Sequence, residues 1–170
     1  MSDNGTNDKF VQAYNRMLER LRAAWHKAEE GAVPSLRENL DRAQEKASEL
    51  GELSREEAAR IADYLQRDLE DAGDYLAESG RQLGDWLSLD LEYAESRLAE
   101  LFAAVVDQSR VELGQWDRRI HERHTGEVTG IGILECQNCG EELHFEHTGQ
   151  IPACPKCGGT VFNKRFDAGK

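Results

Sequence analysis

Cys136-Gln137-Asn138-Cys139 and Cys154-Pro155-Lys156-Cys157 hold all four cysteines of this 170-residue chain, within its last 35 residues. Residues 140 to 153, a gap of 14, separate the two CxxC pairs. That is one short of the roughly 15–20 expected between zinc knuckles, and enough for an outgoing strand, a turn and a returning strand. Within each knuckle two thiolates can point at one ion while backbone N–H groups turn toward the sulfurs. Gly140 and Gly158 follow each second cysteine, where left-handed backbone costs glycine nothing. Pro155 fixes φ inside the second knuckle. Four thiolates fill a tetrahedron and leave no position for water, so Cys136, Cys139, Cys154 and Cys157 define one structural Zn2+ per chain. A rubredoxin-type iron uses the same four ligands, and the spacing does not separate the two metals. Two disulfides would require an oxidising compartment, and a redox CxxC would stand alone at a helix start in a βαβ setting.

Around the cysteines the apolar period is that of strands. Val128, Ile131, Ile133, Leu134 and Glu135-Cys136 suggest one strand, with Gly130 and Gly132 marking a bulge or close packing. Leu143, Phe145 and His147 alternate with His144 and Glu146, a second strand. Thr148-Gly149-Gln150 reads as a turn and Thr160 to Phe166 as the last strand. A unit of this size has too little apolar surface to fold alone, so the metal supplies folding energy.

Before residue 126 the period is helical. Phe10, Tyr14, Met17, Leu21, Ala24 and Ala28 step by four and three, with Trp25 widening the stripe. Gly31-Ala32-Val33-Pro34 stops that run. Val33, Leu36, Leu40, Ala43, Ala47 and Leu50 form a second run, ended by Gly51. Ser54-Arg55-Glu56-Glu57 is a capping box with Leu53 as a staple. Ala58, Ala62, Leu65, Leu69, Ala72, Leu76 and Leu83 make a third run, and Leu87, Leu91, Ala94, Leu98, Leu101 and Val105 a fourth. Leu83, Leu87 and Leu91 step four then four, a stutter, and Gly73, Gly80 and Gly84 weaken the helix around it. The expected fold is therefore mainly α: an antiparallel long-helix or coiled-coil hairpin bundle, followed by a small C-terminal β zinc ribbon. We divide the chain into a disordered lead-in (1–7), an acidic helical domain (8–125) and a ribbon domain (126–170). The helices have their own seams and caps, so the two domains are expected to unfold separately when metal is removed.

With 33 acids against 21 bases the formal charge is −12. Residues 1–125 carry 27 of those acids and 17 of the bases, so the helices hold most of the acidity. That argues against tight nonspecific binding to nucleic acid or anionic membrane, both of which demand cationic surface. Lys156, Lys164 and Arg165 with Phe162 and Phe166 are the only nucleic-acid contact strip the ribbon offers. Trp116 to His124 is a local basic exception, read as cations completing the negative end of a long helix, or as an anion-contacting hinge. His121, His124, His144 and His147 are not needed as ligands beside four cysteines. No apolar run is long enough to span a bilayer and no secretory signal opens the chain, so a cytoplasmic location is expected.

A tyrosine-bearing first helix, the turn Gly51-Glu52-Leu53-Ser54, Arg67-Asp68-Leu69-Glu70, the approach Thr125-Gly126-Glu127-Val128-Thr129-Gly130-Ile131-Gly132 and the two knuckles occur here in one order. In that order they resemble the YbeL-like family of bacterial zinc-ribbon proteins, over about residues 14 to 166. The resemblance implies a bacterial cytosolic protein, helical with a C-terminal ribbon, and no established activity. It also implies Cys136, Cys139, Cys154 and Cys157 as the metal ligands. The expected function is a non-enzymatic scaffold that presents acidic helices and a rigid ribbon to a protein partner, with self-association through the helices as a further expectation. The alternative is a transcription- or translation-associated factor whose ribbon meets nucleic acid, polymerase or ribosome. No GxSxG, P-loop, HExxH or dinucleotide fingerprint points to an enzyme.

Overall fold

The computed structural model describes residues 3–28, 35–79, 105 and 122–165. Three helices come first: α1 (Asp3–Ala28), α2 (Leu36–Glu49) and α3 (Arg55–Ser79). Six short strands follow: β1 (Glu122–His124), β2 (Val128–Thr129), β3 (Gly132–Cys136), β4 (Glu142–Phe145), β5 (Gly149–Gln150) and β6 (Val161–Arg165). The stutter at Leu83 to Leu91 and the fourth run up to Leu101 lie outside the described residues. Helix α1 starts at Asp3, so residues 3–7 of the lead-in expected to be disordered are helical.

The starts of α2 and α3 each have a local chemical cause. Ser54 accepts from the Glu57 N–H at 3.1 Å while Glu57 accepts from the Ser54 N–H at 2.8 Å, the reciprocal box foreseen there. Ser35 and Glu38 form a second such box at the start of α2. Between α2 and α3 the chain reverses through Gly51, whose φ is +69°. Leu50, read as the end of the second apolar run, is instead 57% exposed at the helix C-cap. The reversal carries Leu53 into the core in its place. Arg20 of α1 closes on the turn at 2.6 Å from Glu52.

Tyr14, Met17, Leu18 and Leu21 of α1 pack with Leu36, Leu40, Ala43 and Ala47 of α2 and with Ile61, Leu65 and Leu69 of α3. Val128, Ile131 and Ile133 belong to this same apolar cluster. The helices and the start of the ribbon therefore share one core, where separate cores were expected. A second, smaller cluster of Leu134, Cys136, Ile151, Cys154 and Phe162 surrounds the cysteines. None of the described helices is long and apolar enough to cross a membrane.

The main sheet is antiparallel with strand order β1-β6-β3-β4, and β2 and β5 form a separate antiparallel pair. Three expectations change here: Gly149 and Gln150, read as part of a turn, form β5 against β2. The single strand read from Val128 to Cys136 is broken into β2 and β3 by Gly130 and Ile131. Glu122 to His124, read as the last turn of a long helix, is strand β1 paired to β6. Local charge suggested a helix end; the cross-strand hydrogen bonds of β6 decide otherwise.

Candidate metal centre

The two knuckles bring the four cysteine sulfurs within 4.8 Å of one another. Cys136 Sγ lies 3.6 Å from Cys157 Sγ, and Cys139 Sγ lies 3.6 Å from Cys154 Sγ. Those separations are far too long for disulfides, whose sulfurs sit about 2.05 Å apart. They match the edges of a tetrahedron built on zinc–sulfur bonds of about 2.3 Å, which come to about 3.8 Å. Each knuckle is closed the same way: Gly140 N–H donates to the Cys136 carbonyl at 2.9 Å and Gly158 N–H to the Cys154 carbonyl at 2.8 Å. Both glycines have positive φ, +74° and +73°, as their places after the second cysteines led us to expect. Gly159 donates to Cys157 Sγ at 3.3 Å. A methyl group at Gly159 would stand 3.0 Å from Cys136 Sγ, so the second knuckle needs glycine there for space.

The donor set itself calls for a cation. The Asn138 side chain and the Gly159 N–H pull the Cys157 thiol down to about 6. Cys139 is pushed up to about 12: the Glu141 N–H favours its thiolate, but burial and the neighbouring sulfurs outweigh that bond. Four thiolates this close repel one another unless a dication neutralises them. The residues present fit one structural Zn2+, coordinated by sulfur on all four sides. Among the described residues, no other group of histidines, cysteines and carboxylates is placed to hold a metal. His144 and His147 are exposed residues of the ribbon, and His124 is exposed on β1.

A second constellation, unmarked by any catalytic or metal-binding sequence motif, gathers around Asp68 between helices and sheet. Asp68 of α3 is fully buried. It accepts from Lys164 Nζ at 2.9 Å, Arg123 Nη2 at 3.1 Å, the Tyr14 hydroxyl at 2.5 Å and the Gly130 N–H at 2.7 Å. Arg123 also donates to Asp71 at 2.5 Å, and Lys164 to Thr129 Oγ1 at 2.6 Å and to the Gly130 carbonyl at 3.1 Å. Burial alone would raise the Asp68 carboxyl, but Lys164, Arg123, the Gly130 N–H and Tyr14 outweigh it and hold it at about 2. Burial pushes Lys164 down, with Asp68 opposing. Arg123 is raised, because Asp68 and Asp71 overcome its own desolvation. Tyr14 is raised well above its usual range, by burial first and Asp68 second.

This network revises the nucleic-acid strip. Lys164 and Phe162 are buried, Lys156 pairs with Glu141 at 3.2 Å, and Arg165 pairs with Glu135 and Glu142. Phe166 lies outside the described residues. Arg123 of the basic stretch does meet anions, but internal ones; Arg118, Arg119 and His121 lie outside the described residues. Arg67, next to Asp68, reaches across to Glu127 at 3.1 Å and to the Glu122 carbonyl at 3.2 Å. Gly130 fits under Tyr14 so closely that a Cβ there would stand 2.6 Å from the hydroxyl. Gly132 has φ +143° with Lys164 against it. The segments 67–68 and 126–132, with Tyr14, thus form the joint between helices and sheet.

A four-thiolate tetrahedron with no open position, mounted on a short antiparallel sheet, defines a structural zinc ribbon. A family model described as "zinc-ribbon containing domain" matches residues 23–166. The chain belongs to that family. Its relatives include the proteins named "Uncharacterized protein YbeL" of Escherichia coli strains K12, O6:H1 and O157:H7. Each is 26% identical over 129 residues, covering 74% of this chain and 79% of its own length. No solved structure matches the chain significantly.

Proposed function

We propose that this chain is a non-enzymatic, cytoplasmic scaffold that offers acidic helices, arranged as coiled-coil segments, and a zinc-stiffened ribbon to a protein partner. The observation that carries this reading is the saturated metal site. Four sulfurs leave no place for a bound water or substrate, so the ion orders strands instead of doing chemistry. The polar cluster around Asp68 is sealed from solvent and admits no substrate. The formal charge of −12 and the internal pairing of the ribbon's cations favour a protein partner over nucleic acid.

Affinity capture of the full-length tagged chain from bacterial lysate, repeated after nuclease treatment, tests this. Recovery of the same stoichiometric protein partner in both samples, and its loss with Cys154→Ser, is the expected result. Capture that disappears with nuclease would instead favour the transcription- or translation-associated alternative.

A further inference from the structure

The metal ligand Cys136 and the Asp68 partner Arg123 flank the same residue. In the order β1-β6-β3, Phe162 of β6 pairs with Arg123 on one side and with Cys136 on the other. Two residues along β6 stands Lys164, opposite Leu134 of β3. Directly opposed residues and those two apart share a face of a sheet, and all five are buried. One face therefore carries a zinc ligand, Arg123 level with it and about 10 Å away across two strand spacings, and Lys164 about 7 Å further along the strands, the two cations that neutralise Asp68. No loop intervenes.

Neither cation is supplied by a described helix. Both arrive on strands, and a four-cysteine ribbon of this size depends on its metal for order. On the helical side, Asp68 and Tyr14 have no solvent exposure, and Leu65 and Leu69 share their cluster with Val128, Ile131 and Ile133. Thr148 of the ribbon also donates to Asn15 of α1 at 2.6 Å. We infer that zinc occupancy is transmitted through β3 and β6 to the helices. When the metal leaves, the strands carrying Arg123 and Lys164 lose their order, Asp68 is left without its cations, and the faces of α1 and α3 beneath the ribbon open. The helical surface is thus zinc-responsive, and metal loss acts on the whole described fold.

The test uses the full-length chain under reducing conditions at neutral pH. Zinc is withdrawn stepwise with a chelator, and released metal and the thermal midpoint of the far-UV helical signal are measured together. The helical midpoint should fall by about 10 °C or more as zinc leaves and recover when zinc is restored. Zinc release with an unchanged helical midpoint overturns the inference. Lys164→Met keeps all four cysteines, and should still bind one equivalent of zinc while showing at most half of the zinc-dependent shift. An undiminished shift in that variant would overturn the route through Asp68. The wild-type measurement decides the coupling even where the variant folds poorly.

Discussion

The Lys164 ammonium on β6 donates to the Asp68 carboxylate on α3 at 2.9 Å, and neither side chain retains any solvent-accessible surface. Ninety-six residues separate them in the chain. Two charges so deeply buried are tolerated because each is also hydrogen-bonded: Asp68 by Tyr14, Gly130 and Arg123, Lys164 by Thr129 and the Gly130 carbonyl. Removing one partner of such a pair leaves an uncompensated charge, whereas replacing both with apolar groups can be nearly neutral.

Lys164→Met and Asp68→Leu should each lower the unfolding free energy in urea by about 3–5 kcal/mol. The double substitution should cost clearly less than the sum of the two. Additive losses would mean that the pair contributes no coupling, and that Asp68 is held by its other partners alone.

Gly130→Ala should cost about 1–3 kcal/mol, because the added methyl meets the Tyr14 hydroxyl at 2.6 Å. Tyr14→Phe removes that oxygen and, with it, a donor to Asp68. The cost of Gly130→Ala should therefore shrink in the Tyr14→Phe background. A thermodynamic cycle over the four proteins checks this.

Acid should open the joint. Asp68 is held at about 2 against an ordinary 3.8. Its folded state thus binds fewer protons than its unfolded state in that interval, and the stability it supplies is present above about 4 and lost as pH falls through about 2. Facing Asp68 are Tyr14 of α1, Arg123 of β1 and Lys164 of β6, with Asp71 sharing Arg123. Urea midpoints from pH 5 to 2 should fall more steeply for wild type than for Asp68→Asn. Parallel curves would show that other carboxylates govern the acid limb.

Freshly purified, reduced protein should contain about one zinc per chain, and Cys136→Ser or Cys154→Ser should greatly reduce it. Protons compete with the metal for the thiolates, so zinc should be released on mild acidification. Metal analysis finding under about a tenth of an equivalent in wild type at neutral pH would contradict a structural zinc site.

Random duplex DNA should bind only weakly at physiological salt. The charge is −12, and four thiolates around Zn2+ make it about −14. Lys164 lies inside the fold, so Lys164→Ala should not weaken whatever DNA binding is measured through loss of a surface cation. Submicromolar affinity at near-physiological salt would argue for the nucleic-acid reading.

The metal centre and the Ser54 cap of α3 were legible because their causes are local. CxxC spacing, a glycine after each second cysteine, and a serine three residues before a glutamate each work within a few residues of chain. Among the described residues, apolar periodicity found the buried faces of α1, α2 and α3 for the same reason, and failed at Leu50, where the Gly51 reversal altered which side faced inward. The glycines at 130 and 132 signalled close packing without saying what approached; Tyr14 and Lys164 are the answer. Nothing local could have marked Asp68, Arg123 and Lys164. Taken alone, each is a charged residue of the kind that ordinarily faces water. Only the folding of α3 against β1 and β6 puts opposite charges 55 and 96 residues apart into one dry space. The sequence by itself determined the knuckles, because thiolates bind metal wherever the chain can bend them together. The tertiary structure decided that the ribbon is joined to the helices, because a buried carboxylate needs cations that distant strands supply.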